Sequence, residues 1–154
     1  MFFASDNTSG VPDAILGALG RANAGFSMGY GADDLMVTVR DRLRALFEAP
    51  EAAVYLVATG TAANSLAIAT QVQPWSRVWC HKHAHIEEDE CNAPEFYAGG
   101  MKLSLLEGDH AKIDADGLAQ ALAEAPGGVH HAQPGLLSLR SEERRVGKEG
   151  RSRW

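Results

Sequence analysis

Residues 52–71 read AAVYLVATGTAANSLAIATQ, and the change of character inside this stretch decides the fold class. Ala52–Val57 is a short apolar run of β-formers, the signature of a buried strand. Thr61–Gln71 is rich in alanine and reads as a helix. Between them stands Thr59-Gly60-Thr61-Ala62, a strand-to-helix turn. Working outward toward the carboxyl end, the same alternation repeats. Strands are expected at Arg77–Cys80, Met101–Leu106 and Val129–Ala132. Helices are expected over 88–97, where Pro94 interrupts, and over Asp114–Glu124. Toward the amino end, Val11–Ala24 reads as a helix with Pro12 in its first turn and Ser9 or Gly10 as cap. Ile15, Leu19 and Ala22 share one of its faces. A glycine-punctuated loop, Gly25–Gly31, follows. Asp33 or Asp34 then caps a second helix to about Glu48, with Met36, Val39, Leu43, Leu46 and Phe47 on the 3.6-residue period. This βαβα rhythm predicts an α/β fold, a mostly parallel sheet with flanking helices.

Composition narrows the class. The 154 residues are 45% hydrophobic and 22% charged, the balance of a globular chain with a core. The net charge of −6 is uneven. Residues 1–139 hold eight Lys/Arg against 17 Asp/Glu, for −9, and residues 140–154 hold six against three, for +3. An acidic body argues against a nucleic-acid surface. No window reaches the ~18 apolar residues of a membrane helix, and the first residues lack the basic n-region of a secretory signal. Two cysteines, Cys80 and Cys91, make no disulfide framework, so a cytoplasmic home is expected. Arg140–Trp154 (RSEERRVGKEGRSRW) has one aliphatic residue, Val146, and no usable period. It is read as a separate tail or fusion scar, which puts the domain at 1–139.

Two segments carry chemistry. At Thr59–Ala62 the free N–H groups of a helix amino terminus can bind an anion, with Gly60 allowing close approach and the hydroxyls of Thr59 and Thr61 adding donors. The plain alternative is a turn in which Thr61 only caps the helix. The second segment, 79–91, reads WCHKHAHIEEDEC. His81, His83 and His85 would share one face of an extended strand, which invites a zinc reading. No CxxC occurs and the Cys80–Cys91 spacing matches no common zinc module, so no metal is expected. A polar loop at the carboxyl edge of a parallel sheet is where ligands bind. A neutral imidazole there can stack on a planar ring or move a proton.

The ordered landmarks resemble the threonine aldolase family of β-eliminating-lyase-type enzymes. They are Ser5-Asp6-Asn7, Tyr30-Gly31 with Asp33, TGTAAN at 59–64, HAHIEEDE at 83–90 with the following APEF, Gly99-Gly100, and His130 with Leu136-Leu137-Ser138-Leu139. The resemblance implies the large domain of a pyridoxal-phosphate (PLP) transferase-type fold, like that of aspartate aminotransferase, in incomplete form. It implies PLP as cofactor, a small amino-acid substrate and a homo-oligomer. Gly60, Thr61 and the backbone of Ala62 would hold the cofactor phosphate. His85 would stack on the pyridine ring near the substrate's β-hydroxyl, and His130 would approach that hydroxyl. Ser5 would help bind the substrate carboxylate, and Tyr30 would lie near the site, supplied across a subunit interface. Glu90 would support His85 or the interface.

The implied reaction cleaves L-threonine or L-allo-threonine to glycine and acetaldehyde. The family's Schiff-base lysine has no counterpart among Lys82, Lys102, Lys112 and Lys148, so the chain is expected to be an inactive amino-terminal fragment. Two other readings stay open: a PLP lyase acting on another β-substituted amino acid, and a non-catalytic fragment that binds a metal or a partner.

Overall fold

A computed structural model describes residues 9–139, in two compact units that meet between Tyr55 and Leu56. Ser5 and the whole 140–154 stretch lie outside the described residues, and with them the roles expected there.

The first unit holds α1 (Asp13–Ala22) and α2 (Asp34–Leu46). Helix α1 starts two residues later than its apolar period suggests. Neither Ser9 nor Gly10 caps it; Pro12 takes the cap position with φ −58° and ψ 141° and offers no side-chain acceptor. Its carbonyl instead receives Ile15 N–H at 2.9 Å. The expected apolar face exists, but Ile15, Leu16 and Leu19 are exposed, and no residue of α1 is buried. Helix α2 is capped by Asp33, whose Oδ1 accepts from Met36 N–H at 2.9 Å. Beyond α2 the expected strand at Ala52–Val57, which crosses the unit boundary, does not form. The segment pairs with no other strand among the described residues, and Tyr55, Leu56 and Val57 are exposed. An apolar β-forming run becomes a strand only when a neighbour takes its backbone hydrogen bonds.

The second unit carries the sheet. Its order of elements is α3 (Gly60–Ala69), β1 (Ser76–His81), α4 (His85–Glu88), α5 (Ala93–Tyr97), β2 (Lys102–Leu106), a short 3₁₀ turn over Asp109–Ala111, α6 (Ala115–Glu124) and β3 (Gln133–Leu137). The strands lie in the order β2-β1-β3 and all run parallel. β1 therefore sits centrally, and five of its six residues are buried. Val78 and Cys80 of β1 pack with Ile68 and Val72 at the end of α3, Ala84 and Ile86 around α4, and Ala98 and Met101. These side chains form the core.

Two local expectations are corrected. Pro94 does not interrupt a helix; it lies in the first turn of α5, where its missing N–H costs nothing. Between α4 and α5 the chain turns through Cys91 and Asn92, both left-handed (φ 50° and 59°). Val129–Ala132 is a turn with Val129 93% exposed, and the strand begins at Gln133, where Gln133 N–H first bonds Trp75 C=O at 2.9 Å. Periodicity could not separate that short apolar run from its neighbour in register. Gly99 explains one landmark. With φ +73°, a Cβ there would stand 2.9 Å from Pro74 Cγ, so both conformation and space demand glycine.

Among the described residues no helix is long and apolar enough to cross a membrane.

Candidate active site

Helix α3 precedes β1, and the bond from Asn64 in its first half to Glu90 sets its amino-terminal half beside the segment that follows β1. That terminus is capped by Thr59, not Thr61: Thr59 Oγ1 accepts from Ala62 N–H at 3.1 Å. Ala62 N–H is already taken, which leaves the N–H groups of Gly60 and Thr61 without an intrahelical acceptor. A Cβ placed on Gly60 would meet nothing within 4 Å, so the space beside these donors is open. An anionic group fits there by charge and by room.

The histidines separate to three different partners. His81 ends β1 fully buried. Its Nδ1 accepts from His83 N–H at 3.0 Å, so its Nε2 carries the proton and donates to Gly108 C=O at 3.1 Å. It is a satisfied core histidine. His83 Nδ1 pairs with Glu88 Oε1 at 2.7 Å on the surface. His85, the first residue of α4, places Nδ1 2.8 Å from Glu90 Oε1. The three rings do not share a face, because the strand ends at His81 and a turn follows. No cluster of three metal-ligating side chains occurs among the described residues.

The His85–Glu90 pair is asymmetric. The Glu90 side chain is 0% exposed and that of His85 is 43% exposed. A carboxylate only accepts, so His85 carries a proton on Nδ1 in this pair, and Nε2 is the ring nitrogen that the pair leaves available. Asn64 of α3 donates its Nδ2–H to the same Glu90 oxygen at 2.5 Å. Sequence reading missed Asn64. It stands four residues after Gly60, and its partner is 26 residues away, so spacing held no signal.

One expected participant of the second unit is not brought to this place. His130 is exposed in the turn before β3, at the amino edge of the sheet, while His85 follows its carboxyl edge. Gln133 is in register with Ser76 and His81 lies five residues on, so the two edges are ~16 Å apart at 3.3 Å per residue. Tyr30 belongs to the first unit, fully exposed in the loop before α2 with φ 59°.

Beside the site, Lys82 Nζ lies 2.5 Å from Glu107 Oε2. This hydrogen bond holds the Glu107 carboxyl below its usual range, against an opposing desolvation and with help from the Lys82 charge.

A parallel sheet whose carboxyl edge gathers a helix amino terminus and an oriented imidazole is the layout of a cofactor-binding α/β enzyme domain. Residues 3–147 match the beta-eliminating lyase family model, and the chain belongs to that family. It is 37% identical over 137 residues to the low specificity L-threonine aldolase of Pseudomonas aeruginosa, and 34% identical over 137 residues to that of a second Pseudomonas strain. In both cases the alignment covers 89% of this chain and 39% of the relative. The chain therefore spans about two-fifths of the length of these relatives. The solved structure of Leishmania major threonine aldolase superposes with a TM-score of 0.77 at 27% identity, covering 84% of this chain and 37% of that one. The family is PLP-dependent.

Proposed function

We propose that this chain supplies the phosphate-holding and ring-stacking part of a PLP-dependent aldolase that cleaves a β-hydroxy-α-amino acid to glycine and an aldehyde. The observation that carries the reading is the carboxylate-held His85 at the same sheet edge as the open amino terminus of α3. The relatives named as low specificity L-threonine aldolases point to threonine and its diastereomer as substrates.

PLP, when bound, supplies the electron sink that lets the Cα–Cβ bond break. The residues divide the remaining work. Gly60 and Thr61 present backbone N–H groups to the phosphate, and the hydroxyls of Thr59 and Thr61 can add to them. The half-exposed ring of His85 offers a flat face for stacking. Its bare Nε2 can take the proton of the substrate β-hydroxyl, while Glu90 stabilises the imidazolium that results. Ser5 is assigned to the substrate carboxylate. For His130 to reach the hydroxyl beside His85 it must come from a second copy, given the ~16 Å between the sheet edges of one copy. Tyr30 is assigned in the same way to a homo-oligomer contact.

Gly60→Ala tests the phosphate assignment without disturbing the fold. Gly60 has no left-handed φ and free space at its Cβ position, so alanine should leave thermal stability unchanged or raise it by up to ~1 kcal/mol. The methyl group would nevertheless intrude where the phosphate approaches. PLP affinity, read by fluorescence titration, should fall by about tenfold or more, the weight of one charge-assisted hydrogen bond. Unchanged affinity would remove α3 from the site.

A further inference from the structure

We propose that Asn64 is a positioning residue that couples the phosphate-holding turn of α3 to His85 through the buried carboxylate of Glu90. The proposal rests on the site reading above, in which His85 works through Nε2 and α3 holds an anion.

The argument begins with Glu90. Its side chain is fully buried, and burying a carboxylate demands donors close by. Oε1 receives two of them, Nδ2–H of Asn64 at 2.5 Å and Nδ1–H of His85 at 2.8 Å. The two donors come from different elements, α3 and the first turn of α4. Asn64 is one helical turn beyond Gly60, so its side chain is fixed to the same rigid turn whose N–H groups face the open space. A shift of that turn is thus transmitted to one carboxylate oxygen, and from there to the imidazole. Asn64 meets no substrate in this scheme. It determines where the carboxylate oxygen stands, and the oxygen determines which ring nitrogen of His85 is protonated and which way the ring faces.

The geometry makes a specific demand on tautomers. With Asn64 present, His85 is the Nδ1–H form. Without it, Oε1 loses the Asn64 donor that fixes its position, the hydrogen bond to His85 is less firmly aimed, and the ring shifts toward the Nε2–H form that unconstrained neutral histidine favours. A ring protonated at Nε2 presents a donor where the site needs an acceptor.

The test reads ¹⁵N imidazole shifts in the full 154-residue chain, free of cofactor. The chain has six histidines, and loss of one signal in His85→Gln assigns the resonance. Wild type, Glu90→Ala, Asn64→Ala and the near-isosteric Asn64→Leu are compared. The expected result is Nδ1–H in wild type. The tautomer ratio should move about tenfold toward Nε2–H in Glu90→Ala and in both Asn64 variants. A shift in Glu90→Ala with none in either Asn64 variant overturns the proposal while leaving Glu90 as the partner of His85. No shift in any variant overturns both. Should Asn64→Ala fail to fold, Asn64→Leu keeps nearly the same side-chain shape and can neither donate to Glu90 nor share a proton with it. A wild-type His85 protonated at Nε2 sinks the idea with no variant at all.

Discussion

At the scale of single residues, the site depends on which polar atom meets which. Four charged or polar residues of the second unit have their roles set by one contact each: Thr59 by Ala62 N–H, Asn64 by Glu90, His85 by the same carboxylate, and Lys82 by Glu107. The last contact makes a pH prediction. Glu107 titrates below the usual carboxylate range in the folded chain because Lys82 donates to it. A depressed folded pKa contributes stability that is present above the unfolded value and lost as pH falls through the folded one. Because Glu107 is exposed, solvent screens the pair and the stability effect is small. Lys82→Met should therefore raise the Glu107 carboxyl titration, read by ¹³C NMR, back toward the ordinary glutamate range with little change in melting temperature. An unmoved titration would show that the pair does not persist in solution.

At the scale of elements, helix starts and the central strand carry the fold. Asp33, Thr59 and Asp114 each accept from an N–H three residues on, Met36 at 2.9 Å, Ala62 at 3.1 Å and Gly117 at 2.6 Å. Replacing any one with alanine should cost about 1 kcal/mol in urea unfolding. Only Thr59→Ala should also weaken PLP binding, since only that cap lies beside the open turn. In the core, Met101 is 2% exposed and packs with the β1 side chains Val78 and Cys80. Met101→Ala should destabilise the sheet unit by ~2–5 kcal/mol, through lost burial plus the cavity left behind. A cost near zero would mean that β1 is not the centre of the core.

At the scale of the whole chain, the sheet of the second unit is narrow, and each unit exposes large apolar side chains. Three parallel strands place β2 and β3 at its edges among the described residues, and all-parallel sheets are normally buried on both faces. Phe26, Phe47, Tyr55, Trp75 and Phe96 are exposed, as are Leu16 and Leu19 of α1. Exposed apolar surface of this kind favours association. The 154-residue chain expressed alone should bind a hydrophobic dye and sediment above the monomer mass. A sharp monomer peak with no dye fluorescence would contradict this.

Local chemistry made much of the protein legible before any coordinates. Asp33 and Asp114 announce helix starts because a short side-chain acceptor satisfies a free N–H whatever lies around it. The apolar runs at 77–80 and 101–106 announce strands, and TGTA announces a strand-edge helix terminus, for equally local reasons. The order of motifs from Ser5 to Leu139 was enough to name the family. What sequence could not decide was everything that needs a partner. Ala52–Val57 has the composition of a strand and no neighbour to pair with, Val129–Ala132 yields its place to Gln133–Leu137, and Thr59 rather than Thr61 closes the α3 cap. His130 looked as close to the chemistry as His85, yet parallel pairing of β3 with β1 sends it to the opposite edge. Asn64 was silent because a hydrogen bond across 26 residues leaves no period or spacing behind. Only packing α3 against the turn after β1 brings its amide to the buried carboxylate, and a contact made by tertiary packing is written in no local stretch of the chain.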